Sequence, residues 1–221
     1  MLWKPLERKF FAPSARVVAF ELLGHFLVRN TPQGQSSAII VETEAYLVGD
    51  PACHGAPGLT ARNRVMFGPA GYAYVYFIYG CHFCINAVCQ PSGVGEAVLI
   101  RAVHPFSGEA LMRAARPVRE THSLTNGPGK LCQALRIDRS LNGTDLCDET
   151  SPVLIARNRQ AQGFHRDFGP VLTGPRIGIT QAAELPLRFW LSRNPFVSRT
   201  SPKRNRPGGK TAASVAVQSG V

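Results

Sequence analysis

The sequence predicts a single α+β domain. Strand-length apolar runs bounded by Gly, Pro, Asn and Ser recur from Phe26 to Trp190, and three or four stretches between them read as helices. The 221 residues, 44% of them apolar, suffice for one hydrophobic core. All five tyrosines lie between positions 46 and 79, inside or beside strand-like runs.

Residues 1–13 are basic and aromatic. Ser14 suits the N-cap of a helix that runs to about Leu23 and is ended by Gly24, with Val17, Phe20 and Leu23 as its core face beside Phe10 or Phe11. Residues 26–29, a turn at 31–35 and residues 37–43 read as strand, turn and strand. Glu42 and Glu44 close the second strand and share a face, because side chains repeat every second residue. One is expected to be the working acid and the other a charged neighbour or structural partner. Residues 47–70 lack periodicity; a loop of this length in a compact domain points to function or mobility, and it holds His54, Arg62 and Arg64.

Residues 72–78 and 83–88 alternate as two strands, joined by Tyr79-Gly80-Cys81-His82 in a hairpin with Tyr79 at its tip. An ordinary half-buried sheet accounts for Tyr72, Tyr74 and Tyr76, but a large aromatic at a turn has little core to enter. Residues 97–103 form a buried-type strand in which Arg101 needs a partner or an outlet. A helix is expected over 108–116. Asn126-Gly127-Pro128-Gly129-Lys130 is a turn feeding another helix, where Lys130 and backbone amides suit a phosphate, although the Walker A spacing is absent. Further strands are expected over 153–156, 176–180 and 187–190. The domain is placed at 1–198, with a basic, disordered tail at 199–221 that adds non-specific nucleic-acid affinity.

Lys and Arg outnumber Asp and Glu by 25 to 14, a net charge of +11, which points to a polyanionic partner without choosing between DNA, RNA and a membrane surface. No apolar run reaches membrane-spanning length, and the first residues lack the order of a signal peptide, so an intracellular protein is expected. Cys81 and Cys84 form a C-x-x-C pair without the second pair or His pair of a zinc site, and they sit in a strand-like run rather than at a helix start. No metal is therefore expected, and most of the cysteines read as small buried residues of a reducing compartment.

With DNA as the partner, a tyrosine-tipped hairpin on a basic protein would act as a wedge that fills the gap left by a rotated-out nucleotide. Tyrosine faces would stack the extruded base and favour one made cationic by alkylation. A carboxylate beside the sugar would activate water for hydrolysis of the N-glycosidic bond. The motifs Val41-Glu42-Thr43-Glu44-Ala45-Tyr46, His54, Tyr74-Val75-Tyr76-Phe77-Ile78-Tyr79-Gly80, Asn86, Leu99-Ile100-Arg101-Ala102, Asn126-Gly127-Pro128-Gly129-Lys130-Leu131 and Pro186-Leu187-Arg188-Phe189-Trp190 occur in this order. Together they resemble the alkyladenine (3-methyladenine) DNA glycosylase family, over about residues 5–199.

The resemblance implies a curved antiparallel sheet flanked by helices, with a protruding hairpin that meets DNA. It implies Glu44 as the general base, Arg101 holding the water and the target phosphate, and Tyr46 and Tyr76 stacking the base. His54 would hydrogen-bond the base, Asn86 would disfavour the amine of normal guanine, and Tyr79 would intercalate. The implied enzyme is a monomer without metal or other cofactor, acting on double-stranded DNA that contains damaged purines such as 3-methyladenine, 7-methylguanine, hypoxanthine or ethenoadenine. The segment from Tyr46 to His54 is a residue shorter than in some relatives, which bears on the placement of His54. The long N-terminal extension of animal members is missing, which implies a bacterial-type cytoplasmic enzyme working on the nucleoid; a eukaryotic one would be nuclear. The competing reading is a non-catalytic nucleic-acid-binding module with an aromatic sheet face. Such a module has no need of Glu44, which would only repel phosphate.

Overall fold

The computed structural model describes residues 3–198; the expected tail at 199–221 lies outside the described residues. The described residues form an eight-stranded, wholly antiparallel sheet with four α-helices, an α+β fold. The strands are β1 (Phe26–Thr31), β2 (Gly34–Tyr46), β3 (Ala73–Ile78), β4 (His82–Cys89), β5 (Glu96–Ser107), β6 (Val153–Ala156), β7 (Val171–Gly174) and β8 (Arg188–Leu191). The helices are α1 (Ala15–Glu21), α2 (Glu109–Ala115), α3 (Pro128–Ala134) and α4 (Ala161–Phe168).

Strand β2 organises the sheet. Its 13 residues pair with β5 along one edge; the other edge takes β1 beside its first half and β8 beside Glu42, Thr43 and Glu44. The resulting order β3-β4-β5-β2-β1-β6, with β8 and β7 added beside β2, curves the sheet into a half-barrel. Period-two alternation then sorts the side chains. Ala73, Val75, Ile85, Ala87, Val98 and Ile100 join the main core with α1, α2 and α3. Their neighbours Tyr74, Tyr76, Asn86, Leu99 and Arg101 point to the opposite face.

Three register shifts interrupt the β2–β5 ladder, one between Ser37 and Ala38 and two bulges beside the acids. Ile40 opposes Val103 and Glu42 opposes Ala102, so Val41 is supernumerary; Thr43 then opposes Ile100, so Arg101 is supernumerary on β5. Bulges re-aim side chains, and here the extra residue is the one buried cation of that strand.

Three expectations need correction. Helix α1 starts after Ser14, but no Ser14 side-chain bond caps it; the Glu96 carboxylate accepts from Ala15 N at 2.9 Å instead. Its core face is Ala15, Val18, Ala19 and Leu22, at true helical spacing, whereas Val17 and Phe20 are 44% and 49% exposed. The segment 176–180 is not a strand: the Ile177 amide and the Arg176 side chain serve carboxylates of the site rather than a ladder, and the strand there is the earlier β7. Helix α4 was not foreseen; no side chain caps it, and it carries Gly163 in its interior.

No helix among the described residues is long and apolar enough to cross a membrane. Among the same residues no group of three or more His, Cys, Asp or Glu is arranged to hold a metal ion.

Candidate active site

The sheet face opposite the main core opens into a cavity of about 390 Å³, to which the first turn of α3 also contributes wall. Tyr46, His54, Tyr76, Asn86 and Arg101 all contribute to its wall, and Tyr79 stands at it from the hairpin tip. Of the expected site residues only Glu44 is not in the wall. It is fully buried and bonded to two residues of the wall, Tyr46 and Arg101.

Glu44 is held by donors from three directions. Its Oε1 accepts from Ile177 N at 2.7 Å and lies 3.2 Å from Arg101 Nη1; its Oε2 accepts from the Tyr46 hydroxyl at 2.9 Å. A carboxylate offers about four acceptor positions, so one on Oε2 stays uncommitted. Glu42 is different. Its Oε1 accepts from Arg101 Nε at 3.2 Å and Arg188 Nε at 2.6 Å, and its Oε2 from Ser198 N at 2.6 Å. The two acids share a face as expected, and a four-charge cluster of no net charge lies behind the cavity. Burial works against the charge on Arg101, but Glu44 and Glu42 outweigh it and hold the guanidinium above its ordinary value.

Burial, and then the Glu44 anion, push the Tyr46 phenol upward, so it donates to Glu44 as a neutral hydroxyl. Burial does the same to Tyr76. Across the β3–β4 pair, Tyr74 opposes Asn86, whose Nδ2 donates to the Tyr74 carbonyl at 2.9 Å and so fixes the amide at the cavity. His54 Nδ1 lies 3.0 Å from the Tyr74 hydroxyl, and its ring packs 4.4 Å from that of Tyr76. Burial, assisted by Arg62, lowers the His54 pKa, which keeps the imidazole neutral near pH 7.

The loop that carries His54 is pinned rather than loose. Buried Asn63 donates to the carbonyls of His54 (2.7 Å) and Gly58 (2.8 Å) and accepts from Thr60 N (2.6 Å) and its hydroxyl (2.9 Å). Near the start of the same loop, Asp50 binds both terminal nitrogens of Arg176. Asn63, Asp50, Arg176 and Arg188 were not among the expected site residues. The available sequence signal was weak: Arg188, like Arg101, is a charge inside a strand-like run.

The hairpin tip is strained in a specific way. Cys81 N bonds Ile78 O at 3.3 Å across a turn whose central residues, Tyr79 and Gly80, have φ of 55° and 68°. A bulky residue rarely adopts the left-handed region, and Tyr79 does so while 74% exposed. Lys130 lies in the cavity wall with its ammonium on Asn126 Oδ1 at 2.7 Å. Cys84 lines the same wall, Cys81 is exposed, and all six cysteines are free thiols.

A tyrosine-lined cavity backed by a buried acid, on a strongly basic protein, suits an enzyme that acts on a nucleobase. The family described as methylpurine-DNA glycosylase (MPG) matches residues 9–195. A relative from Rhodopseudomonas palustris (strain HaA2) is 48% identical over 199 residues, covering 89% of this chain and 92% of its own. One from Methanoculleus marisnigri is 47% identical over 194 residues, covering 88% of this chain and 98% of its own. Both carry the name "Putative 3-methyladenine DNA glycosylase". The chain belongs to the methylpurine-DNA glycosylase family, hydrolases of N-glycosyl bonds.

Proposed function

We propose that this glycosylase, acting as a monomer on double-stranded DNA, rotates a damaged purine into the cavity and hydrolyses its glycosidic bond with a water activated by Glu44. The observation that carries this reading is the coordination of Glu44: three donors orient the carboxylate and one acceptor position is left over. A water at that position gives its proton to Glu44 while its oxygen bonds to C1′, and the N-glycosidic electron pair leaves with the base. An alkylated, cationic purine departs neutral and Glu44 returns its proton to solvent, whereas a neutral purine departs as an anion that takes up a proton from solvent. The products are a free purine and an abasic site.

Tyr46 and Tyr76 stack the base, His54 hydrogen-bonds it, and Asn86 opposes the amine of guanine. Arg101, anchored by Glu42 and Glu44, turns towards the phosphate and the water. Tyr79 fills the gap in the duplex; its exposure and its left-handed φ at a hairpin tip support the wedge role. The substrates proposed are 3-methyladenine, 7-methylguanine, hypoxanthine and ethenoadenine, without metal or organic cofactor, in the cytoplasm.

The test is base release from a duplex with one hypoxanthine and from methylated DNA, wild type beside Glu44→Gln. Release by the wild type and none by the variant, with duplex binding retained in both, is expected. Equal release by the variant would overturn the role of Glu44. Tight binding without release from either substrate would favour the binding-module reading.

A further inference from the structure

Tyr46 has a guanidinium behind it. The Arg176 guanidinium carbon lies 4.7 Å from the ring centroid, and Arg176 is not part of the cavity wall whereas Tyr46 is. Arg176 is buried and tightly held: Nη1 donates to Asp50 Oδ2 and, at 3.1 Å, to Ala45 O, while Nη2 donates to Asp50 Oδ1 at 3.0 Å and Ala182 O at 3.3 Å. Asp50 is itself oriented by Ala52 N at 3.0 Å. The hydrolytic step proposed above uses neither residue.

The pair has an electrostatic consequence for the other face of the ring. A tyrosine face attracts a cation through its quadrupole, and purines alkylated on a ring nitrogen carry a fixed positive charge. A base in van der Waals contact with the front of Tyr46, about 3.5 Å away, would lie roughly 8 Å from the Arg176 charge. Unpaired, that charge would weaken binding of a cationic base by up to roughly thirtyfold at an effective dielectric of 20. A neutral purine would feel little of it. The two-point fork to Asp50 cancels the charge while leaving the guanidinium in place as a flat support for the ring.

We propose that Asp50 sets the balance between charged and neutral purine substrates, by neutralising Arg176 behind the stacking tyrosine. The proposal deepens the functional reading above and rests on it, because it requires the purine to stack on Tyr46. Asp50 touches no substrate; it acts through Arg176 and the ring. Glu44 and Arg101 also act on the bound base, but they are unchanged in the comparison that follows.

The experiment measures single-turnover base release from duplexes carrying one 7-methylguanine (charged) or one hypoxanthine (neutral). Four proteins are compared: wild type, Asp50→Asn, Arg176→Met, and the double variant Asp50→Asn with Arg176→Gln. The readout is the ratio of charged to neutral release efficiency within one preparation, so a misfolded fraction cancels. Asp50→Asn is expected to lower the ratio by about tenfold, within the thirtyfold ceiling. Arg176→Met, which leaves an anion, is expected to raise it. The double variant is expected to return within about twofold of wild type. A ratio in Asp50→Asn within twofold of wild type overturns the proposal, as does a shift of the same sign in Arg176→Met. Should Asp50→Asn fail to fold, the opposite shift in Arg176→Met and its reversal in the double variant decide the matter. Release of neither base by the wild type overturns the functional reading as well. Release of both with an unmoved ratio overturns this inference alone.

Discussion

Replacing Glu42 and Glu44 by glutamine, one at a time, makes the same chemical change at two positions on one face of β2, and the structure expects opposite failures. At position 44 a glutamine can satisfy every partner. Its Oε1 keeps the Ile177 amide and Arg101, and its new NH₂ group can donate to the Tyr46 hydroxyl, which turns from donor to acceptor by rotating one bond. Arg101 keeps Glu42 as its anion. The expected cost is about 1 kcal/mol. At position 42 no orientation works. With Oε1 towards the guanidinium groups, the new NH₂ faces Ser198 N, a backbone donor that cannot become an acceptor. Turned over, the NH₂ faces Arg101 and Arg188. Arg188 then has no carboxylate partner while still buried. Breaking one partner out of a buried ion pair costs about 3–5 kcal/mol.

For a domain of this size each kcal/mol moves the melting temperature by roughly 2–4 °C. Thermal unfolding by circular dichroism at pH 7 should therefore show Glu42→Gln melting roughly 6–20 °C below wild type and Glu44→Gln within roughly 4 °C of it. The Glu44→Gln protein should be the folded but inactive one. Equal losses at the two positions, or a larger one at 44, would refute the assignment of Glu42 to anchoring and Glu44 to chemistry.

Tyr79→Gly removes the side chain and suits the left-handed φ of 55°, so stability should stay level or rise by about 1 kcal/mol. Base release should fall by at least about tenfold with the lost stacking; unchanged release in a kinetic assay would dismiss the wedge. Asn63→Ala frees the His54 carbonyl and its loop; urea unfolding should show a loss of about 1–3 kcal/mol, and steady-state kinetics a raised KM with a smaller change in kcat. An unaltered KM would mean that the knot does not position His54. Burial, with Arg157 and His165 adding repulsion, lowers the His25 pKa from 6.5 to about 4, and its Nδ1 accepts from Asn158 N at 3.1 Å. The unfolded chain thus binds the proton first on acidification: stability is whole above pH 6.5 and declines by about 3 kcal/mol as pH falls to 4, a loss that His25→Gln should remove from a melting-versus-pH series.

Local pattern made much of this legible in the sequence. The run ending on Glu42 and Glu44, the alternation around Tyr74 and Tyr76 and the hairpin at Tyr79 depend on neighbours a few residues away, and β2, β3 and β4 lie close to where that pattern puts them. Two-residue periodicity also put both acids on one face. It said nothing of the bulges at Val41 and Arg101, because a bulge is a mismatch between two strands and belongs to neither sequence alone. Nor could it separate the two acids. Their difference arrives from outside the strand: Ser198 and Arg188 reach Glu42 across 156 and 146 positions, and Ile177 reaches Glu44 across 133. Asp50 and Arg176 meet across 126. The division of labour proposed for the two acids rests on the kinds of donor that arrive. An immobile backbone amide and two guanidinium groups fill Glu42 and commit it to structure. A rotatable phenol and a single amide beside one arginine leave Glu44 with an acceptor position free for a proton.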